Sequence, residues 1–220
     1  MAVNKQINKN IQIIWPQIHL NGIIDTRKSL RSVRLNKAVF LDRDGVINKD
    51  NGYVHTVDDF EYIDGVFEAC LALKQMGYLL IVVTNQSGIA RGMYSEDDFH
   101  HLTEWMDWNF ADKGVELDGI YYCPHHPQKG LGGYKQDCDC RKPKPGMMLD
   151  AAEFLKIDMS QSVMVGDKAD DMRAAKAAGI NTAILVRSGK VVDEAGVELA
   201  SAVVDSIADV PSLLSQLLTK

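Results

Sequence analysis

The sequence predicts a doubly wound α/β domain built on a mostly parallel sheet, and three observations predict it. Short runs that are apolar almost throughout, at residues 38–41, 79–83, 162–165 and 182–186, have the composition of strands covered on both faces. Segments with helical periodicity lie between and after them. Three of the runs end in polar clusters: Asp42 with Asp44, Thr84 with Asn85, and Asp167 with Asp170 and Asp171. Open parallel sheets place their ligands at these carboxyl ends of strands.

The bulk properties fit one domain. A chain of 220 residues can bury a sizeable core, and 46% hydrophobic with 25% charged residues is ordinary for a globular protein. No apolar run is long enough to cross a bilayer, so no membrane partner is expected. A formal net charge of -6 gives no overall attraction to nucleic acid, and no nucleic-acid partner is expected either. A phosphorylated small molecule needs only a local basic patch. A monomer is the expected state.

Residues 1–36 carry the least information and are read as an N-terminal extension, flexible or non-native, ahead of a domain spanning 37–220. The stretch IQIIWPQIHL has the basic flank of a signal peptide, but Gln12, Pro16, Gln17 and His19 interrupt it and no small-residue cleavage site follows. From Leu41 onward the elements can be justified in turn. Residues 47–64 contain Asn51-Gly52 and little periodicity, which predicts a loop folded over the strand end. Val66, Ala69, Cys70 and Leu73 mark one face of a helix over 65–76, stopped at Gly77. Ser95 with Asp98 predicts the start of a second helix whose stripe is Phe99, Leu102, Met106 and Phe110. Trp105 and Trp108 are read as packing residues. A strand at 120–122, a helix over 145–155 with proline near its first turn, and a helix over 170–178 stopped at Gly179 follow. The tail supplies an edge strand at 202–204 and a closing helix at 210–218.

Asp42 and Asp44, two apart on an extended segment, project to the same side. With Lys142 as a cation, they form a set able to handle a transferring phosphoryl group, which needs a nucleophile, a proton donor, a divalent cation and fixed positive charge. A second signal is independent of the first. Cys123, the adjacent pair His125 and His126, and Cys138 with Cys140 offer three thiolates and an imidazole, a closed set suited to structural zinc. With only Cys70 elsewhere, the cysteines point to a metal in a reducing, cytoplasmic compartment rather than to disulfides.

DRDG after an apolar strand, VVTNQSG, RKPKPG and MVGDKADD occur in the order of the four motifs of the haloacid dehalogenase (HAD) superfamily, and residues 38–190 resemble its phosphatases. NGYVHTVDDFEYIDG, TNQSGIARG, LTEWMDW, DGIYYCPHHPQ and CDCRKPKPGM further resemble the bacterial heptose bisphosphate phosphatase branch. The resemblance implies a Rossmann-like sheet with a minimal cap and a zinc-binding loop. It implies Asp42 as the nucleophile that forms an aspartyl phosphate, and Asp44 as the acid and base. Mg²⁺ would be held by Asp42, Asp44 and Asp167, with Lys168 beside it. Thr84 and Lys142 would neutralise the phosphoryl group.

The same resemblance implies a substrate-binding set of Asp50, Asn51, Gly52 and Tyr53, then Thr84, Asn85, Gln86 and Ser87, then Arg141 with Lys142. It selects His125 over His126, giving zinc to Cys123, His125, Cys138 and Cys140. The implied activity removes the C7 phosphate of a heptose 1,7-bisphosphate on the route to the activated heptose of lipopolysaccharide. The alternatives are a histidinol-phosphate phosphatase and a non-catalytic zinc-dependent interaction module.

Overall fold

The computed structural model describes residues 12–14, 35–192 and 194–218. Of the N-terminal extension, residues 1–11 and 15–34 lie outside that description. Strand β1 (Gln12–Ile14) runs antiparallel to β4 (Gly119–Cys123) at one edge of a seven-stranded sheet. The other strands are all parallel: β2 (Lys37–Leu41), β3 (Tyr78–Asn85), β5 (Val163–Gly166), β6 (Thr182–Val186) and β7 (Ala202–Val204). Their order is β1-β4-β3-β2-β5-β6-β7. The chain builds outward from β2 in one direction through β3 and β4, then returns to its other side with β5. That makes the carboxyl end of β2 a topological switch point.

Strand alternation divides the core in two. Val39 and Leu41 face a layer containing α1 (Val66–Gln75), α3 (Glu96–Asp112) and α7 (Val210–Leu218). Ala38 and Phe40 face α4 (Gly146–Leu155) and α5 (Ala169–Ala178). Phe40 and Leu41 are fully buried, each contributing about 1.5–3 kcal/mol by the usual measure of apolar burial. A central strand sealed on both faces in this way gives its last residues a rigid mounting.

Helix α3 starts as its sequence dictates. The Ser95 side chain accepts from the Asp98 N–H, and the Asp98 carboxylate accepts from the Ser95 N–H, a reciprocal cap. Its stripe of Phe99, Leu102, Met106 and Phe110 is buried. Trp105 packs on Phe60 and Tyr62, but Trp108 is 76% exposed, correcting its reading as a packing residue. Two positions beyond Met106 is about 200° around a helix, which turns Trp108 away from the stripe.

Among the strands and α-helices, three escape the sequence reading: β1, the one-turn helix α2 (Ser87–Ala90) and helix α6 (Glu194–Leu199). The loop after β2 is no loose flap. Val54, Phe60 and Ile63 are buried, and bridges from Asn48 to Asp44 and to Tyr62 tie it down. Among the described residues, no helix is long and apolar enough to cross a membrane.

Candidate active site

Strands β2, β3 and β5 end side by side and deliver Asp42, Thr84 and Asp167 to one place. Asp42, Asp167 and Asp171 are all buried, and each offers a carboxylate oxygen within 4.8 Å of the others. Lys142 lies among them, its ammonium 3.0 Å from Asp42 Oδ1 and 2.6 Å from Asp171 Oδ1, and it donates to the Val83 carbonyl at 2.8 Å. Burial pushes the Asp42 carboxyl up to about 7; Lys142 opposes the shift and Asp171 adds to it. Asp167 is raised for the same first reason, and Lys142 is raised because its two carboxylates outweigh its desolvation.

The residues present fit a hard divalent cation. Asp167 Oδ1 is buried and accepts no hydrogen bond, although the Lys168 ammonium lies 3.2 Å away. Three convergent carboxylates with one oxygen unsatisfied form an oxygen-donor set of the kind Mg²⁺ takes. Glycine makes room for it: a Cβ on Gly45, at φ +93°, or on Gly189 would strike the Asp167 carboxylate. Lys168 offers no electron pair to a metal through its side chain, because neighbouring carboxylates hold its ammonium protonated. It instead sets positive charge beside Asp167 and Asp50.

Asp44 turns away from this cluster into a ring of donors. Arg43 Nη2 donates to its two oxygens at 2.8 and 3.0 Å, while Asn48 and Gln86 donate at 3.1 Å each. Arg43 is 1% exposed, sits near the rings of Phe60 and Phe99, and also donates to the Val54 carbonyl. Gln86 has its amide fixed: the Asp44 carboxylate accepts from its nitrogen, which also donates to Thr84 Oγ1, so its oxygen is left to accept from Tyr94 Oη at 2.5 Å. A cleft of about 270 Å³ opens here, lined by Asp44, Asp50, Gly52, Tyr53, Asn85, Gln86, Ser87, Tyr94, Lys168 and Lys190.

The cysteine cluster stands at the neighbouring strand end. Cys123, His125, Cys138 and Cys140 are all buried, with ligand atoms within 4.8 Å of one another, and the three sulfurs are 3.0–3.4 Å apart. Three sulfurs and an imidazole gathered this closely are a donor set that one tetrahedral ion takes, and His125 points Nδ1 at the thiols. His126 does not join them; its Nδ1 accepts from the N–H groups of Gln128 and Lys129. Cys123 is paired with Asn85 across β3 and β4, and Asn85 clamps the Lys142 main chain through two 3.0 Å hydrogen bonds.

Comparison with known proteins places this geometry in a family. Residues 139–210 match the HAD-hydrolase-like family model. Over 177 residues the chain is 68% identical to the D-glycero-beta-D-manno-heptose-1,7-bisphosphate 7-phosphatase of Vibrio cholerae, covering 80% of this chain and 95% of the relative. The chain belongs to the heptose-1,7-bisphosphate 7-phosphatase family. The Escherichia coli K12 member is 57% identical over 179 residues, 81% of this chain and 94% of that one. The D,D-heptose 1,7-bisphosphate phosphatase from B. bronchiseptica, solved with magnesium and phosphate, superposes with a TM-score of 0.69 at 32% identity, covering 82% of this chain and 98% of the other.

For a heptose-bisphosphate phosphatase site, most of the sequence-derived set is brought together, with four qualifications. Arg141 donates to the His125 carbonyl at 3.2 Å and does not line the cleft. Asn85 spends its side chain on Lys142 rather than on the cleft. Asn51 is exposed and does not line the cleft, and Asp50 faces two lysines. Arg43, Asn48, Tyr94 and Lys190 were missed. Arg43 stands between the two aspartates and Lys190 follows β6 closely, so their proximity to strand ends was the available signal.

Proposed function

We propose that this chain hydrolyses the C7 phosphate of D-glycero-β-D-manno-heptose 1,7-bisphosphate, the substrate and anomer its relatives' names carry. The observation that supports it best is a division among the cations. Arg43, Lys142, Lys168 and Lys190 are each paired with an aspartate. Arg91, Lys129 and Arg141 pair with no carboxylate among the described residues, and Arg91 Nε is buried without a partner. These three gather around His126, beside the cleft wall formed by Tyr53. Desolvation and then the charges of Arg141, Arg91 and Lys129 hold His126 below the usual imidazole value, and Arg91 lies over the Tyr53 ring. A cluster of unneutralised cations suits a leaving group that carries a second phosphate. It repels histidinol phosphate, whose leaving group carries an ammonium.

In this reading Asp42 attacks phosphorus, the C7 oxygen leaves with a proton from Asp44, and an aspartyl phosphate forms. Water, deprotonated by Asp44, then attacks that phosphorus and frees Asp42 with inorganic phosphate. Asp42, Asp167 and the Asp44 main-chain carbonyl would hold Mg²⁺, which when bound supplies charge stabilisation to the phosphoryl oxygens. Gln86 donates to Thr84 Oγ1, leaving the Thr84 hydroxyl hydrogen to point at a phosphoryl oxygen. Lys142 uses its donors on Val83, Asp42 and Asp171, and turns one of them to phosphate as Asp42 is consumed.

Zinc on Cys123, His125, Cys138 and Cys140 braces the segment that carries Arg141 and Lys142. Thiolate ligands of this kind suit a reducing compartment, and we place the enzyme in the cytoplasm, as a monomer, on the lipopolysaccharide heptose route. The test is kcat/KM on the β and α heptose bisphosphates and on histidinol phosphate. The β-bisphosphate should lead by at least an order of magnitude; a lead for histidinol phosphate would overturn the assignment.

A further inference from the structure

A fourth loop closes the site, and nothing in the catalytic set accounts for it. After β6 the chain runs Ser188-Gly189-Lys190 back over the carboxyl ends of β2 and β5. Ser188 Oγ donates to the Gly45 carbonyl at 2.7 Å, next to the catalytic aspartates. Gly189 approaches so closely that an added Cβ would lie 2.1 Å from Asp167 Oδ2. The Lys190 N–H donates to that same oxygen at 3.1 Å, while its ammonium donates to the Asp50 carbonyl at 3.0 Å and lies 3.3 Å from Asp50 Oδ1.

Asp50 is built to receive it. Its side chain is 9% exposed, pairs with Lys168 at 3.3 Å, and accepts the Gly52 N–H at 3.0 Å. That last bond shapes the turn in which Gly52 and Tyr53 both take positive φ, 81° and 56°. A non-glycine residue in this conformation is held there by its surroundings. Gly52 and Tyr53 form one wall of the cleft. The carboxylate is therefore held between two lysines and a backbone donor.

We propose that Lys190 is a positioning residue that joins the metal-side carboxylate to the substrate wall: its main chain orients Asp167, and its ammonium, through Asp50, holds the 50–53 turn against the cleft. Asp50 is the receiving half of this clasp. Neither group touches a reacting atom. Because the bond to Asp167 comes from the main chain, side-chain substitutions at 190 release the turn and leave the carboxylate oriented. The consequence is separable in kinetics: loss of the ammonium weakens capture of the leaving group and spares the chemical step.

The inference rests on the phosphatase site and not on which sugar fills it, so the test uses the Mg²⁺-loaded full chain with the phosphate ester that the wild-type protein turns over best. Lys190→Met, Lys190→Arg, Asp50→Asn and the Asp50→Asn/Lys190→Met pair are compared. Lys190→Met should raise KM about 5–20-fold with kcat changed less than about threefold, the signature of lost binding without lost chemistry. Lys190→Arg should restore most of the KM. The double variant should be no worse than Asp50→Asn alone, because both changes remove one shared interaction. A wild-type KM for Lys190→Met, or effects that multiply in the double variant, would overturn the proposal. Failure of the heptose assignment would show separately, as a wild-type preference for another ester.

Discussion

Lys142 makes three contacts at its ammonium, one with a carbonyl and two with buried carboxylates, so it is as much a structural cation as a catalytic one. Replacing it by alanine should remove turnover and also cost about 3–5 kcal/mol of stability, since Asp42 and Asp171 are left buried without their counter-charge. Chemical denaturation measures that loss. Asp42→Asn should behave in the opposite way. Burial raises the Asp42 carboxyl to about 7, so at pH 8 its charge is a cost to the fold, and Lys142 keeps Asp171 as a partner. Turnover should vanish while the melting temperature at pH 8 stays at or above that of wild type. At this scale the sequence was most informative where residue type and spacing together constrain chemistry. The two aspartates, and the three cysteines with the adjacent His125 and His126, were visible in that way, while the choice of His125 came from the family resemblance. Arg43 was not, because an arginine beside an exposed-looking turn gives no hint that two aromatic rings will bury it. Nor was the fate of Asn85, whose partner lies 57 residues away.

Among the elements, the single turn α2 shows most directly how packing reaches the chemistry. A Cβ on Gly88 would lie 2.1 Å from Tyr94 Cε1, so glycine is what admits the Tyr94 ring, and Tyr94 sets the Gln86 amide that faces Asp44 and Thr84. Gly88→Ala should displace that ring and lower kcat by about tenfold or more, as small misplacements in a site do. Steady-state kinetics with circular dichroism checks it. Helix α2 is four residues long and has no period to read, which is why the sequence presented it only as a polar cluster. The longer helices were legible because their apolar stripes repeat several times. Stripping metal from the cysteine cluster with a chelator should lower the melting temperature and raise KM together, because the ion's binding energy contributes to folding and its segment carries Arg141.

Across the whole molecule, the parallel, doubly wound character of the sheet was legible from runs apolar on both faces, whereas the strand order and the pairing of β1 with β4 were not, since apolar runs do not name their neighbours and the three residues of β1 carry no pattern. The fold collects acids from β2, β5 and α5 into one buried pocket, and this makes cation binding proton-linked. Folding raises Asp42 above its ordinary 3.8, so the metal-free protein holds a proton there that a cation must displace as pH falls below about 7. Mg²⁺ should therefore raise the melting temperature more at pH 8 than at pH 6, and should release protons on binding near pH 6.5 but few at pH 8.5. Titration in weak buffer measures the latter.

The pairing of Cys123 with Asn85 sets where this chain can change length over evolutionary time. A single residue inserted within Gly119–Cys123 would rotate every later side chain of that strand to the opposite face, losing the first sulfur of the cysteine cluster and the support beneath Lys142 in one event. At Gly132 and Gly133 no such constraint applies, because an added Cβ there meets nothing within 4 Å. Insertions and deletions among members of the family should accumulate there and be absent from the strand before it.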